Sequence, residues 1–221
     1  MNWQVVKPAE IEAKSFEIIA HTLQRQKFSD SLRSLKTHGG VEIMPLLLRI
    51  IHTTADFSMV KNLSLSYGAI TQGIDSLRTG ATIVTDTEMI KAGIDKTRLA
   101  SWGGRCVCFM TDPEVVENAK KNNTTRAYAA MDKAVSLSKP LIFAIGNAPT
   151  ALGHLCELVS CRAVQPSLII GVPVGFVNVI ESKEMLESTG VPFITIRGRK
   201  GGSTVAVSIC NALLRLAAAG A

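Results

Sequence analysis

The chain has 221 residues, 47% hydrophobic and 19% charged, enough for folding to bury roughly 70% of the unfolded chain's surface without disulfide or metal staples. Those proportions exclude a disordered or collagen-like chain, and apolar runs such as 167–180 are broken by proline or polar residues and fall short of the ~20 residues that a membrane helix needs. The formal charge of +6 favours an anionic partner, but two Trp, two Tyr and no basic run of five supply neither the stacking platform nor the basic stripe of a nucleic-acid binder.

No repeat, low-complexity tract or linker divides the chain, so a single domain is expected, with 1–64 as a helical N-terminal part and 65–221 as an α/β core. The opening residues lack a basic stretch followed by an apolar run and a cleavage site, and a cytoplasmic location is expected. Apolar spacing predicts a helix over 7–26, with Pro8 in its first turn and Ile11, Ser15, Ile18 and Thr22 on one face, which aims Ser15 inward or into a cleft. A looser polar stretch, 27–40, precedes a helix that Pro45 opens and that runs to His52. Arg49 and His52 stand three apart, so a cation and an imidazole share one side of that helix.

A helical stretch over 65–78 ends near Gly80. Short apolar runs at 81–86, 105–110, 141–145, 168–172 and 193–196 then read as strands. Helical patterns separate them, at 88–92, 113–121, 126–137, 149–161 and 181–188, and another closes the chain at 203–216. The result is a single α/β domain: a mainly parallel, doubly wound sheet of about five strands, with helices on both faces and a helical segment in front. Ligands of such sheets sit at the C-terminal ends of the strands.

Two strand-end loops suit an anion. Gly146 and Asn147 lie between a strand and the helix that Pro149 opens, where backbone N–H groups face the crevice, although a tight strand-to-helix turn uses the same residues. The segment Arg197-Gly198-Arg199-Lys200-Gly201-Gly202-Ser203 gathers three cations and three glycines ahead of the last helix. Its bland reading is a solvated basic turn. It is not a phosphate loop of the G-x-x-x-x-G-K-[ST] type, because Lys200 precedes Gly201, and no G-x-G-x-x-G occurs.

Among the histidines, His52 has Arg49 beside it, a cation that disfavours the imidazolium, whereas His21, His38 and His154 lack such company. A lone histidine on an apolar helix more often packs than reacts. Asp86 and Asp112 follow strands, where a carboxylate can meet a ligand, but both also stand where helix N-caps belong. Arg126 opens a helix whose small residues would let a bulky ligand approach. Five cysteines, at 106, 108, 156, 161 and 210, lack the spacing of a zinc site or disulfide framework. Cys106 and Cys108 are expected on opposite faces of their strand, and no cysteine is given chemistry.

Taken together, Ser15-Phe16, Arg49-Ile50-Ile51-His52-Thr53-Thr54-Ala55-Asp56, Gly146-Asn147-Ala148-Pro149-Thr150-Ala151-Leu152, Pro173-Val174-Gly175-Phe176-Val177 with Glu181-Ser182-Lys183, and Gly198-Arg199-Lys200-Gly201-Gly202-Ser203 resemble, in order and over nearly the whole chain, the precorrin-8X methylmutase family of cobalamin biosynthesis. The resemblance implies an isomerase that shifts a methyl group from C11 to C12 of the corrin macrocycle and yields hydrogenobyrinate or cobyrinate. It implies His52 as the acid/base and Ser15 and Arg49 as substrate contacts. No cofactor, metal or methyl donor is implied, since any cobalt belongs to the substrate; the missing glycine-rich loop after the strand ending at Asp86 agrees. Homodimers, and possible channelling of product to the next enzyme, are also implied.

The substrate's acetate and propionate groups give the positive charge a partner. Arg49, Arg126, Arg199, Lys200 and the backbone at Gly146, Asn147, Gly201 and Gly202 are the candidate contacts, with Asp86 at the neighbouring strand end. The chain departs from the family's usual His-Ala-Thr-Gly-Asp at Ala55, where the family has glycine, and its 27–44 stretch is longer than usual. Two other classes fit parts of the pattern: a non-catalytic corrinoid carrier, and a phosphate- or nucleotide-using α/β enzyme. Turnover separates the first from an enzyme, and nucleotide binding would mark the second.

Overall fold

The computed structural model describes residues 6–25, 28, 31, 32, 35, 43–137 and 140–219. After a 3-10 turn at Pro8–Glu10, the chain forms α1 (Ile11–Arg25), α2 (Met44–Thr54), α3 (Met59–Asn62), β1 (Leu63–Leu65), α4 (Ala69–Arg78), β2 (Thr82–Thr85), α5 (Glu88–Gly93), α6 (Lys96–Ser101) and β3 (Arg105–Cys108). There follow α7 (Pro113–Lys121), α8 (Arg126–Val135), β4 (Leu141–Ile145), α9 (Pro149–Ser160), β5 (Leu168–Gly171), α10 (Val179–Ser188), β6 (Phe193–Ile196) and α11 (Ser203–Ala219). Among the described residues no helix is long and apolar enough to cross a membrane.

Six strands make one sheet in the order β1-β6-β5-β4-β2-β3, parallel except where β1 runs antiparallel to β6. β2, β4, β5 and β6 are buried at every position, which is why β4 and β5 read as continuous apolar runs and β2 and β6 are interrupted only by threonine. Along β4, Ile142 and Ala144 join the layer formed with α1, α2, α4 and α11, while Leu141, Phe143 and Ile145 join the layer of α7 to α10. Burying each large apolar side chain there is worth about 1.5–3 kcal/mol. The layers are those of a doubly wound sheet.

The expected sheet lacked β1, and the helix expected from residue 65 starts at Ala69 instead. Three residues are too few to show a period, and Gly68, at φ +74°, turns the chain between β1 and α4. The short α6 was also unforeseen; its signal was Asp95, whose carboxylate accepts the Arg98 N–H at 2.9 Å.

α1 presents a different face from the one its sequence suggested. Ile19 and Leu23 are buried, whereas Ile11 and Ile18 are exposed. The inner seam runs through Glu12, Phe16, Ile19 and Leu23, and the Ser15 and Thr22 hydroxyls donate back to Ile11 O and Ile18 O, each at 2.8 Å. On α2, Leu46, Leu47, Ile50 and Ile51 are buried, so the helix is pinned from within and presents Arg49 and His52 on its other side. It ends at Ala55, a left-handed residue (φ +51°) whose N–H donates to Ile51 O at 2.7 Å.

Chain connections leave β2 toward β3 and β4 toward β5 on opposite sides, so the topological switch point lies between β2 and β4. Asp86 and Gly146 are the residues at its C-terminal lip.

Candidate functional site

Beside that lip, a cleft of about 380 Å³ opens between α2, α5 and α11. α2 lines it with Arg49, His52 and Thr53, and α11 with Thr204, Val207, Ser208, Asn211 and Arg215, residues whose spacing falls on one helical face. Met89 of α5 stands at the edge, 64% exposed, and with Val207 gives the cleft an apolar side. The structure therefore brings Arg49 and His52 together in a concave site, as the sequence suggested, with His52 exposed on its wall.

The first turns of α1 close one end. Glu12 grips Arg49 through both oxygens, at 3.1 and 3.3 Å, and its second oxygen lies 3.5 Å from the Arg215 guanidinium. The Arg49 hydrogen bond holds the Glu12 carboxyl below the usual carboxylate range, assisted by the charges of Arg49, Arg215 and His52 against a smaller opposing effect of burial. Phe16, one turn on, meets the His52 ring edge-to-face at 5.6 Å and carries the Arg49 guanidinium over its face at 5.2 Å. Imidazole and guanidinium are thus oriented by one aromatic ring. Ser15 shares the Glu12 side of α1, half-buried, with its hydroxyl bonded within its own helix.

The strand-end loops are built differently from expectation. Asp86 is fully buried and is not a helix cap; Thr87 caps α5 by accepting the Ile90 N–H at 3.2 Å. Asp86 instead accepts the N–H groups of Gly146 (3.0 Å), Asn147 (2.8 Å) and Ala148 (2.7 Å). Burial pushes its carboxyl up, and those three backbone donors oppose the push. The amides expected to meet a ligand at Gly146 and Asn147 are committed to this carboxylate, which fills the switch point. A side chain at Gly146 would place Cβ 2.8 Å from the Cα of Ser203, so glycine lets α11 start against this loop. Asp112 does cap its helix, accepting the Glu114 N–H at 3.1 Å.

The cations of the basic loop after β6 are exposed, but each has a partner within the chain. Arg197 pairs with Glu187 at 2.7 and 3.0 Å, and Arg199 donates to Phe176 O at 2.6 Å while stacking over the Phe176 ring. Lys200 reaches Asp56 and Ser58, just past the end of α2, at 2.5 and 2.8 Å. The buried Lys183 of α10 donates to Gly198 O and Lys200 O, both at 2.8 Å, and burial pushes its ammonium down to about 8. Gly202 N–H is bonded to Val172 O at 2.8 Å, and a Cβ at Gly201 would come within 2.2 Å of that oxygen. Arg199, Lys200 and Gly202 therefore have partners inside the chain, and Lys200 ties the loop ahead of α11 to the end of α2.

Arg126 is not at the His52 cleft of this chain; it lines a separate depression with Lys120 and Asn123, and the small residues of its helix, Ala127, Ala129, Ala130 and Ala134, are packed into the core. His38 and most of 27–44 lie outside the described residues. His154 has company that the sequence hid: it stacks on Tyr128 at 3.5 Å and bonds Asp132 and Glu157. All five cysteines are free. Contrary to expectation, Cys106 and Cys108, two residues apart, share a face of β3; burial pushes the Cys106 and Cys156 thiols up to about 12 and Cys108 and Cys210 upward as well, which keeps them protonated and unreactive. No metal-holding cluster occurs among the described residues.

Residues 10–216 match the family model described as Precorrin-8X methylmutase. The chain belongs to the precorrin-8X methylmutase family. It is 43% identical over 215 residues to the cobalt-precorrin-8 methylmutase of Priestia megaterium, covering 97% of this chain and 91% of that protein. To the Salmonella typhimurium cobalt-precorrin-8 methylmutase it is 43% identical, covering 95% and 96%, and to the Pseudomonas aeruginosa precorrin-8X methylmutase 36%, covering 86% and 93%. The crystal structure of precorrin-8X methylmutase from Thermus thermophilus superposes with a TM-score of 0.79 at 36% identity, covering 96% and 98% of the two chains. Within this methylmutase fold, sequence reasoning missed Glu12 and Arg215. A signal for the latter existed: Thr204, Ser208, Asn211 and Arg215 are polar, at spacings of four, three and four, along a mostly apolar helix.

Proposed function

We propose that this chain moves a methyl group from C11 to C12 of precorrin-8X or cobalt-precorrin-8, giving hydrogenobyrinate or cobyrinate in cobalamin biosynthesis. The observation that carries this reading is the family match over residues 10–216 together with Arg49 and His52 side by side on the wall of the cleft. The bond from C11 to the methyl carbon breaks as the bond to C12 forms, so no methyl donor, cofactor or resident metal is needed. Drawing electron density into the conjugated ring assists the shift. His52 donates a hydrogen bond or proton to the macrocycle in the transition state and takes it back afterwards, while Arg49 anchors a peripheral carboxylate and so fixes the ring's orientation.

Both the cobalt-containing and the metal-free ring fit this reading: relatives of either name occur, and the Synechocystis cobalt-precorrin-8 methylmutase, at 35%, and the Pseudomonas precorrin-8X methylmutase, at 36%, are about equally similar to this chain. A cytoplasmic homodimer is part of the same proposal. Val174, Phe176 and Val177, 47%, 81% and 77% exposed on one loop, support an interface between copies. Hand-over of product to the next enzyme is consistent with it.

Visible absorption titration with cobyrinate and with hydrogenobyrinate, against ATP and NAD controls, tests the reading. One corrinoid per chain is expected, and a preference between the two identifies the pathway. A response to a nucleotide and none to either corrinoid would overturn it.

A further inference from the structure

Glu12 is in an unusual place for a surface carboxylate. It bridges Arg49, whose side chain is only 18% exposed, and Arg215, and both arginines line the cleft that holds His52. The two guanidiniums come from different helices, α2 and α11, that pack along each other, so their separation is fixed by the core rather than by the ion pair. The helix that brings Glu12 is held more weakly. From Ile11 to Ile18, α1 contains no buried residue, and its buried anchors, Ile19 and Leu23, lie further along. Phe16, within that stretch, packs against the core and stays in place while the half-exposed Glu12 leaves the arginines by a change of rotamer.

We propose that Arg49 and Arg215 form a two-cation fork for one carboxylate of the substrate, and that Glu12 occupies the fork in the empty protein and gives way to that carboxylate. The inference rests on the corrinoid reading above, whose substrate carries acetate and propionate groups. A planar guanidinium binds a carboxylate through parallel N–H bonds, and Glu12 already shows Arg49 doing so at 3.1 and 3.3 Å. Exchange of one carboxylate for another leaves the charge of the fork satisfied before and after, and the displaced Glu12, already 47% exposed, returns to water. Arg215 thereby becomes a binding residue of the reaction, and Glu12 a competitor that sets how tightly the carboxylate is held.

The test is the affinity for cobyrinate and its salt dependence in wild type, Glu12→Gln, Arg215→Gln and the double variant. Arg215→Gln should weaken binding roughly tenfold, as expected for one lost charge-assisted contact, and should flatten the dependence of affinity on salt. Glu12→Gln, by removing the competitor, should tighten binding several-fold, and this gain should shrink in the double variant. Tightening on loss of an ion pair is not an effect that a merely structural role for Glu12 produces. Unchanged or weaker binding by Glu12→Gln overturns the placeholder, and an unchanged affinity and salt slope for Arg215→Gln overturns the fork. If the wild type itself binds no corrinoid, the proposed function has failed rather than the assignment of these two residues alone.

Discussion

Replacing Asp86 with alanine removes the acceptor for three backbone N–H groups at once. Asn147 is exposed, so water takes over its N–H, but Gly146 and Ala148 are buried and their N–H groups are left without a partner. At about 1–3 kcal/mol per orphaned donor the loss is about 2–6 kcal/mol, reduced by release of a carboxylate that burial had already made unfavourable. A net loss of about 3 kcal/mol corresponds to a fall in Tm of about 6–12 °C for a domain of this size. Urea unfolding at pH 7, followed by circular dichroism, measures it. Asp86→Asn should lie between, since its carbonyl oxygen can still serve Asn147 and Ala148 while its amide opposes the Gly146 N–H. Because this loop abuts Ser203 at the start of α11, both variants should also lose kcat/KM. A loss below about 1 kcal/mol in Asp86→Ala would refute the view that this carboxylate holds the loop together.

Ala55→Gly relieves a left-handed alanine at φ +51° and should raise stability by about 0.5–1 kcal/mol after the greater freedom of glycine in the unfolded chain is deducted; thermal unfolding reads the gain. Gly201→Ala forces a Cβ to within 2.2 Å of Val172 O and should cost about 3 kcal/mol or more, seen as a lower urea midpoint. Burial pushes the Lys183 ammonium down to about 8 in the folded chain, from ~10.4 in the unfolded chain. Between those values the unfolded chain holds a proton that the folded chain has released, so this group's contribution to stability rises with pH. The neutral amine still has N–H groups for both carbonyls. The stability of wild type relative to Lys183→Met should therefore grow by about 3 kcal/mol between pH 7.5 and 10.5; a flat difference would contradict it.

The parallel strands were legible because burial on both faces leaves largely apolar runs, and Leu141–Ile145 and Phe193–Ile196 fall at their expected bounds. β1 was not, because its place in the sheet comes from pairing with β6, far along the chain. The site divides in the same way. Arg49 and His52 sit on one helix, where spacing alone brings them together. Glu12 and Arg215 reach the same cleft from helices about 200 positions apart, and no local pattern joins them. Composition exposed the cations and glycines of the loop after β6 but not their internal partners, Glu187, Phe176 O and Asp56, which lie well outside it in sequence.

Turnover of cobalt-precorrin-8 by wild type and His52→Ala, with no methyl donor added and with cobyrinate affinity measured alongside, bears most directly on the central claim. Wild type should form cobyrinate, and His52→Ala should lose about 100-fold or more in kcat while retaining affinity, the usual scale for removing a general acid. Cobyrinate formation by His52→Ala at the wild-type rate would contradict the assignment of His52 as the acid, and no formation by the wild type would contradict the methylmutase reaction itself.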